Sequence, residues 1–173
     1  MSVTECTSSS KESVSSECST TTTSSGLGPT GKRLDYITWH QHHMYMARML
    51  SEMSKEQEPN GCYIVDQEHY QIASGFSGET ETEDGLCRCA IISAFHKLEK
   101  KAANGENLTM YLTMFPNCDD CLSRIPKMKV SKIWYWSSQN HEIHDDAIST
   151  LRKNGIHCEK YEPTRTISID FGE

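Results

Sequence analysis

Three cysteines in two short motifs have the residue types and the spacing of a zinc site. Cys89 lies at the predicted start of one helix, and Cys118 and Cys121 form a Cys-x-x-Cys pair about thirty residues later. Free N–H groups and the helix dipole stabilise thiolates at helix N-termini. Three thiolates would leave the fourth position of a tetrahedral Zn²⁺ open. The competing interpretation is that they are reduced cysteines buried in a core.

The periodicity of the remaining sequence predicts the elements that must position these cysteines. Apolar residues at three- and four-residue steps predict helices, and short apolar runs bounded by turn residues predict strands. Strands that alternate with helices indicate an α/β domain with a mixed sheet covered on both faces. The predicted helices are 35–54, about 89–101, a short one opening at Cys118, and 145–154; the predicted strands are 62–66, 70–75, 108–114, 130–136 and 157–161.

The first 30 residues have the composition of a disordered tail. From Thr7 to Ser25, 14 of 19 residues are Ser or Thr, so this segment cannot bury enough apolar surface to offset its ordering entropy. Residues 31–173 are predicted to form the folded domain. The tail is either a phosphorylatable or tethering arm or a solvated extension without a role.

Composition and charge exclude several functional classes. The 173 residues carry a formal net charge of −7, which argues against a nucleic-acid groove and makes nucleic acid an unlikely partner. There is no apolar run long enough to span a membrane and no secretory signal, so we expect an intracellular protein, cytoplasmic or nuclear. In a reducing compartment, facing cysteine pairs favour metal binding over disulfides. A small anionic ligand remains compatible with this charge.

Several motifs together resemble those of the cytidine and deoxycytidylate deaminase family, from about Asp35 to Phe171. The turn at residues 75–78 resembles the Gly-Tyr-Asn-Gly turn of that family, and Tyr111 to Pro116 is similar to its strand leading into the second ligand pair. Residues 61–65 and the ending 155–171 are also similar. The resemblance implies a three-layer α/β/α fold with a five-stranded mixed sheet. It also implies Zn²⁺ bound by Cys89, Cys118 and Cys121, and an oligomer whose subunits complete one another's sites.

The same resemblance points to substrate positions and to departures from the family pattern. Family members use asparagines to hold the nucleotide where this chain has Ser77 and Ser93. Ala90 follows the first ligand as in the family, and the carbonyl of Pro116 would face the substrate amino group. Asn117, inserted before Cys118, is expected to displace that carbonyl.

The largest departure is Ile91, which stands where zinc deaminases carry a glutamate. That glutamate is not a zinc ligand; it moves the proton from the zinc-bound water to the leaving amine. Isoleucine can neither accept nor donate a proton. General acid–base catalysis typically contributes about 10²–10⁴-fold, so we expect a severe loss of activity.

Other residues could compensate or complete the site. Glu81, Glu83 and Asp84 precede the first ligand and could supply a carboxylate. Asp119 and Asp120 more simply satisfy free N–H groups in a first helical turn. Cys87 is a possible fourth ligand of a closed Cys₄ site, although a position in the core is favoured.

Histidines offer weaker candidates for a metal site. His141, Glu142, His144 and Asp145 could form a second one, but a polar loop and helix start is the simpler interpretation. The histidines of the first helix, His40, His42 and His43, are expected to be surface or packed residues.

Two functions from different classes remain on sequence grounds. The favoured one is a zinc-binding, non-catalytic subunit or nucleotide-binding regulatory partner. It would form a homo-oligomer or associate with an active deaminase, and it could bind a pyrimidine nucleotide. The alternative is an active deaminase that converts dCMP to dUMP with an unusual proton carrier. A nucleic-acid editing factor is a third and weaker hypothesis, because the acidic balance disfavours it.

Overall fold

The computed structural model describes residues 29, 31, 36–80, 88–100, 106–138 and 141–164, without the side chains of 141–143. The predicted tail therefore lies almost wholly outside the described residues. The helices are α1 (Trp39–Glu52), α2 (Ala90–Lys100), α3 (Asp119–Arg124) and α4 (His141–Lys153), and a 3₁₀ turn follows α3 at Ile125–Met128. The strands are β1 (Gly61–Val65), β2 (Gln71–Phe76), β3 (Leu108–Met114), β4 (Val130–Ser137) and β5 (His157–Lys160).

The five strands form one mixed sheet in the order β2-β1-β3-β4-β5. β1 runs antiparallel to both β2 and β3, whereas β3, β4 and β5 are parallel to one another. The register of β1 on β3 places Cys62 opposite Leu112 and Tyr63 opposite Tyr111. Five strands in a mixed sheet confirm the predicted fold class.

The two faces of the sheet are covered by different helices, which makes three layers. Strand residues alternate between faces, so Tyr63 and Tyr111 pack with Met44 and Ala47 of α1. The opposite face holds the larger core, to which α4 contributes Ala147 and Leu151. The contribution of α2 to this core consists of Ala90, Ile91, Ile92, Ala94, Phe95 and Leu98. Both cysteine-bearing segments lie at the edge of this larger core, because Cys89 and Cys118 pack against it.

One helix begins earlier than the sequence pattern predicted. α4 starts at His141 rather than Asp145, so His141 and Glu142 belong to a helix and not to a polar loop. The first turn carries too few apolar residues to show a helical period, and the prediction was wrong for that reason.

Among the described residues, no helix has the length and apolar character needed to cross a membrane.

Candidate metal centre and adjoining cleft

Cys89 is positioned by the close packing of α2 on the edge strand β2. The carbonyl of Cys89 accepts a hydrogen bond from Ser93 N–H at 3.2 Å, so this cysteine immediately precedes the helix. Gly75 of β2 allows the contact, because a Cβ there would lie 2.6 Å from both the Ala90 carbonyl oxygen and the Ala94 nitrogen. Any larger residue at position 75 would push away the helical turn that carries Cys89.

Cys118 occupies the equivalent position in front of α3. Its backbone is extended at φ −105° and ψ 144°, and its carbonyl accepts from Leu122 N–H at 3.1 Å. Cys121 lies in the first turn of the same helix and is buried. A hydrogen bond from the Cys121 thiol lowers the pKa of Cys118 to about 6. The same hydrogen bond and burial raise the pKa of Cys121.

The three sulfurs meet in a geometry that suits zinc. The Sγ atoms of Cys89 and Cys118 are 3.6 Å apart, and the sulfurs of Cys89, Cys118 and Cys121 all lie within 4.8 Å of one another. Thiolates bound at about 2.3 Å to a tetrahedral Zn²⁺ would be separated by about 3.8 Å. Within the described parts of the chain this is the single group of three or more potential metal ligands. The residues present therefore fit Zn²⁺.

The oxidation state of Cys89 decides whether it can serve as a ligand. Cys89 is disulfide-bonded in this structure, whereas Cys118 and Cys121 are free thiols. A sulfur held in a disulfide cannot bind a metal as a thiolate. The zinc-binding form of the site is therefore the reduced protein.

Ile91 lies inside the apolar core next to these cysteines. Its side chain is 1% exposed and belongs to the same cluster as Cys121, Phe95 and Leu112. Ala90 and Ile92, its neighbours in the first turn of α2, are fully buried. At the position where the family resemblance places the catalytic glutamate, this chain therefore has a packed hydrocarbon side chain.

An open cleft of about 420 Å³ adjoins Cys89. Its described lining consists of Glu56, Gln57, Glu58, Asn60, Ser77, Arg88, Cys89, Met114 and Asn117. The Asn60 side-chain oxygen accepts hydrogen bonds from Thr113 Oγ1 at 2.7 Å and from Met114 N–H at 3.2 Å. These bonds hold the loop after α1 against the end of β3, at one side of the cleft.

Among the described lining residues of the cleft, the charged groups are two carboxylates and one guanidinium. Glu56 Oε1 lies 3.3 Å from the guanidinium of Arg88, and both side chains are partly exposed. Glu58 adds a second carboxylate at an exposed position. A phosphate group entering this cleft would meet an arginine that already has a carboxylate partner. The charge balance therefore offers little to an anionic ligand.

Ser77 is the one predicted substrate residue, apart from the zinc ligands, among the described lining of the cleft. Its hydroxyl accepts from Asn60 N–H at 2.9 Å and lies 2.8 Å from the Ser54 hydroxyl. These contacts hold the loop after α1 in place. They also occupy the Ser77 hydroxyl, which would otherwise face a ligand.

The other three predicted substrate positions are not among the described lining residues of the cleft. Ala90 and Ser93 are both fully buried, and Pro116 is also buried. The Ser93 hydroxyl lies 3.1 Å from that of Thr80. Their roles toward a substrate remain predictions from the family resemblance.

Of the acids and the fourth cysteine that the sequence offered as a proton carrier or an extra zinc ligand, the structure describes only the two aspartates of α3. Glu81, Glu83, Asp84 and Cys87 fall outside the described residues. Asp119 and Asp120 are exposed in the first turn of α3, as expected for residues near free N–H groups. Glu56 and Glu58 were not identified from the sequence as site residues. They lie in an irregular loop about thirty residues before Cys89, and only the fold brings them near it.

The histidines form packing contacts. His144 stacks edge-on against Phe115 and Tyr135, with ring centroids 4.7 and 5.2 Å apart. His43 is 1% exposed, and burial lowers its pKa to about 4. His40 packs against Trp134 at 4.0 Å between ring centroids. These contacts confirm packed histidines in α1.

Comparison with known proteins places this site in a family. Residues 37–137 match the family model described as the cytidine and deoxycytidylate deaminase zinc-binding region. The uncharacterized protein F10E9.7 of Caenorhabditis elegans is 51% identical over 129 residues, which cover 74% of this chain and 98% of that protein. Deoxycytidylate deaminase of Mus musculus is 23% identical over 162 residues, covering 81% of this chain and 89% of the enzyme.

A solved structure supports the same relationship. dCMP deaminase from the cyanophage S-TIM5, in complex with dCMP and dUMP, superposes with a TM-score of 0.58 at 25% identity. The superposition covers 73% of this chain and the whole of that chain. Zinc is the metal indicated both by the family's zinc-binding region and by the cysteine cluster.

Proposed function

This chain belongs to the cytidine and deoxycytidylate deaminase family, and from that premise we propose that it is a zinc-binding member without deaminase activity of its own. It acts as a subunit or as a regulatory partner that binds a nucleotide. Cys89, Cys118 and Cys121 hold the Zn²⁺, which in an active deaminase supplies the activated water. Here the same ion supports the packing of two helix starts.

The observation that carries this proposal is the burial of Ile91. A zinc deaminase needs a carboxylate that exchanges a proton with the metal-bound water and with the leaving amine. Ile91 is 1% exposed among apolar side chains, so no titratable atom stands at that position. The β-branched side chain is also stiff and leaves little room for a rescuing water.

The polar groups of the cleft support a subunit role more than tight nucleotide binding. Arg88 already pairs with Glu56 at 3.3 Å, and Glu58 repels a phosphate. The Ser77 hydroxyl is engaged by the loop backbone at 2.9 Å. We therefore expect any pyrimidine nucleotide to bind weakly, with cytidine no worse than dCMP.

One feature favours the alternative, an active deaminase that converts dCMP to dUMP. Glu56 and Glu58 line the cleft that contains Cys89, so a carboxylate from this loop could serve as the proton carrier. This carrier would come from a different element than in the rest of the family. A carrier at Glu56 or Glu58 makes a specific demand: activity must disappear when that side chain becomes an amide.

A turnover assay separates the two candidates. Reduced, zinc-loaded protein is incubated with dCMP, dCTP and cytidine, and conversion is followed by chromatography beside Glu56→Gln and Glu58→Gln. We expect less than about 10⁻⁵ s⁻¹ for all three proteins, far below the roughly 1 s⁻¹ of a slow ordinary enzyme. Wild-type turnover near 1 s⁻¹ that Glu56→Gln or Glu58→Gln abolishes would establish the alternative.

A further inference from the structure

Three histidine rings form a chain that joins α1 to the turn between β1 and β2. His42 Nδ1 lies 3.3 Å from His43 Nδ1, and His43 Nε2 lies 3.3 Å from His69 Nδ1, so both pairs are within hydrogen-bonding distance. His42 and His43 belong to α1, whereas His69 lies in the turn at residues 66–70. This imidazole chain (His42, His43 and His69) therefore connects the turn to the helix.

Trp39 covers the imidazole chain but leaves its outer rings accessible. The indole stacks on His43 and His69 with ring centroids 5.8 and 5.4 Å apart, and it meets His42 edge-on at 5.8 Å. His43 is buried, whereas His42 is half-buried and His69 is exposed. Protons from solvent therefore reach the two outer rings more easily than the central one.

The number of protons decides whether both bonds of the imidazole chain can form. A neutral imidazole has one N–H donor and one acceptor nitrogen, and a protonated imidazole has two donors. Three neutral rings satisfy both bonds, and one additional proton is accommodated at any of the three rings. A second additional proton always sets two N–H groups against each other, so that one bond must break. The imidazole chain is therefore compatible with one positive charge but not with two.

We propose that the imidazole chain is a pH-sensitive switch, which holds the turn at residues 66–70 on α1 when its rings are neutral and releases the turn when His42 and His69 are both protonated. This switch goes beyond the proposed loss of catalysis and does not depend on it. Imidazole is the side chain that ordinarily titrates between about pH 5 and pH 8, so the turn should open across that range as the pH falls.

Burial of the central ring sets the direction of the pH effect. Burial, with smaller contributions from His42, His69 and His40, lowers the pKa of His43 to about 4. In the unfolded chain the same ring would titrate near pH 6.5. The unfolded chain therefore binds a proton that the closed form does not, and the stability of the closed form falls as the pH drops from about 6.5 to about 4.

The titratable groups that face His43 from the helix and the sheet stay neutral in this range. Tyr63 of β1 and Tyr111 of β3 pack on His43 with ring centroids 5.6 and 5.1 Å apart. Burial raises the pKa of both phenols, that of Tyr111 to about 12. His40 of α1 packs on Tyr111, and burial together with the charge of Lys132 lowers the pKa of His40.

The turn itself favours release once His69 is charged. Asp66 and Glu68 place two carboxylates within three residues of His69, and their charge favours a proton on that ring. The backbone of His69 has a φ of 69°, in the left-handed region. This conformation is unfavourable for a residue with a side chain, so the turn should relax when the ring contacts that support it are lost.

Hydrogen exchange in the full-length protein tests the switch. The exchange rates of the Asp66, His69 and Tyr70 amides are measured at about pH 7.5 and about pH 5, and each is divided by its intrinsic rate at that pH. In wild type we expect opening of the turn to be at least about tenfold more frequent at the lower pH. His157→Asn, which removes an exposed histidine of β5, is the control and should show the same increase.

Replacing one outer ring separates a switch from an ordinary structural contact. His69→Asn puts an uncharged amide near the position of Nδ1, and asparagine tolerates a positive φ. This amide can donate or accept, so we expect the turn to stay closed and its exchange to change by less than about twofold between the two pH values. His42→Gln removes the other outer proton site and should give the same result.

The melting temperature at about pH 7.5 shows which variants are folded, and either folded variant decides the question. The proposal would be overturned by exchange in the wild-type turn that does not depend on pH. A tenfold increase that persists in folded His69→Asn or His42→Gln would overturn it as well. So would an equal increase for the amides of the central strand β3, because that result would mean unfolding of the whole domain rather than release of the turn.

Discussion

The starts of α2 and α3 place Cys89 and Cys118 in the same backbone arrangement, but they differ in the residues that follow the cysteine. Each cysteine immediately precedes its helix and accepts a hydrogen bond from the backbone four residues on. Cys118 is followed by two exposed aspartates and then by Cys121. After Cys89 come Ala90, Ile91 and Ile92, all buried. A cysteine that can bind zinc is present at both helix starts, whereas the three residues that follow Cys89 are all apolar.

Metal ligation and proton transfer therefore place separate demands on a site. Ligation needs sulfurs at fixed distances, and packing of two helices on a sheet supplies that geometry. Proton transfer needs one titratable group at the bound water. An apolar side chain such as Ile91 can therefore remove proton transfer, while it strengthens the core that keeps the zinc ligands in place.

Loss of a ligand at the α3 start should have the largest effect. Reduced wild-type protein should contain about one Zn²⁺ per chain. Cys118→Ser should lose most of it, because two thiolates do not hold the ion alone. Metal analysis after dialysis measures the ratio, with Cys158→Ser as a control at a buried cysteine in β5. Full zinc retention by folded Cys118→Ser would disprove the ligand assignment.

Restoring the missing acid at the α2 start should cost stability. Ile91→Glu places a carboxylate in an apolar core, so we expect the free energy of unfolding to fall by about 2 to 4 kcal/mol. Ile91→Val, which removes one methylene group, should cost about 1 kcal/mol. Urea denaturation of both variants measures the difference. A cost for Ile91→Glu as small as that for Ile91→Val would mean that the position opens toward the cleft.

Displacing the α2 start from the sheet should have a smaller effect. A Cβ at Gly75 would approach the backbone of Ala90 and Ala94 to 2.6 Å, so Gly75→Ala should cost about 1 to 3 kcal/mol. Because this shift moves Cys89, zinc affinity should fall as well. Ser74→Ala, at the adjacent residue of β2, is the control and should retain zinc. Unchanged zinc affinity in Gly75→Ala would show that the position of Cys89 does not depend on this contact.

Removing residues 1–30 should have the smallest effect. Their Ser- and Thr-rich composition cannot form a packed core, so both helix starts should be unaffected by their loss. Full-length and truncated proteins are compared by thermal unfolding and zinc content. A decrease in melting temperature of more than a few degrees would show that the segment packs against residues 31–173.

Local sequence signals predicted the parts of the structure that depend on local chemistry. Apolar periodicity predicted all five strands, and the two cysteine motifs predicted the cluster of three sulfurs. The surroundings of the cluster were not predictable in the same way. Glu56 reaches the cleft because an irregular loop folds back toward Arg88, and the engagement of the Ser77 hydroxyl depends on that same loop. Contacts of this kind come from tertiary packing and leave no periodic pattern in the sequence.

A single-turnover experiment tests whether the zinc-loaded chain lacks deaminase activity. Reduced protein with a measured content of about one Zn²⁺ per chain is mixed in excess over dCMP, so that even a slow reaction would convert all the nucleotide. An active deaminase of the family serves as the positive control. We expect dCMP to remain unconverted after hours, at a zinc content equal to that of the control. Complete conversion to dUMP within minutes would contradict the proposed loss of catalysis.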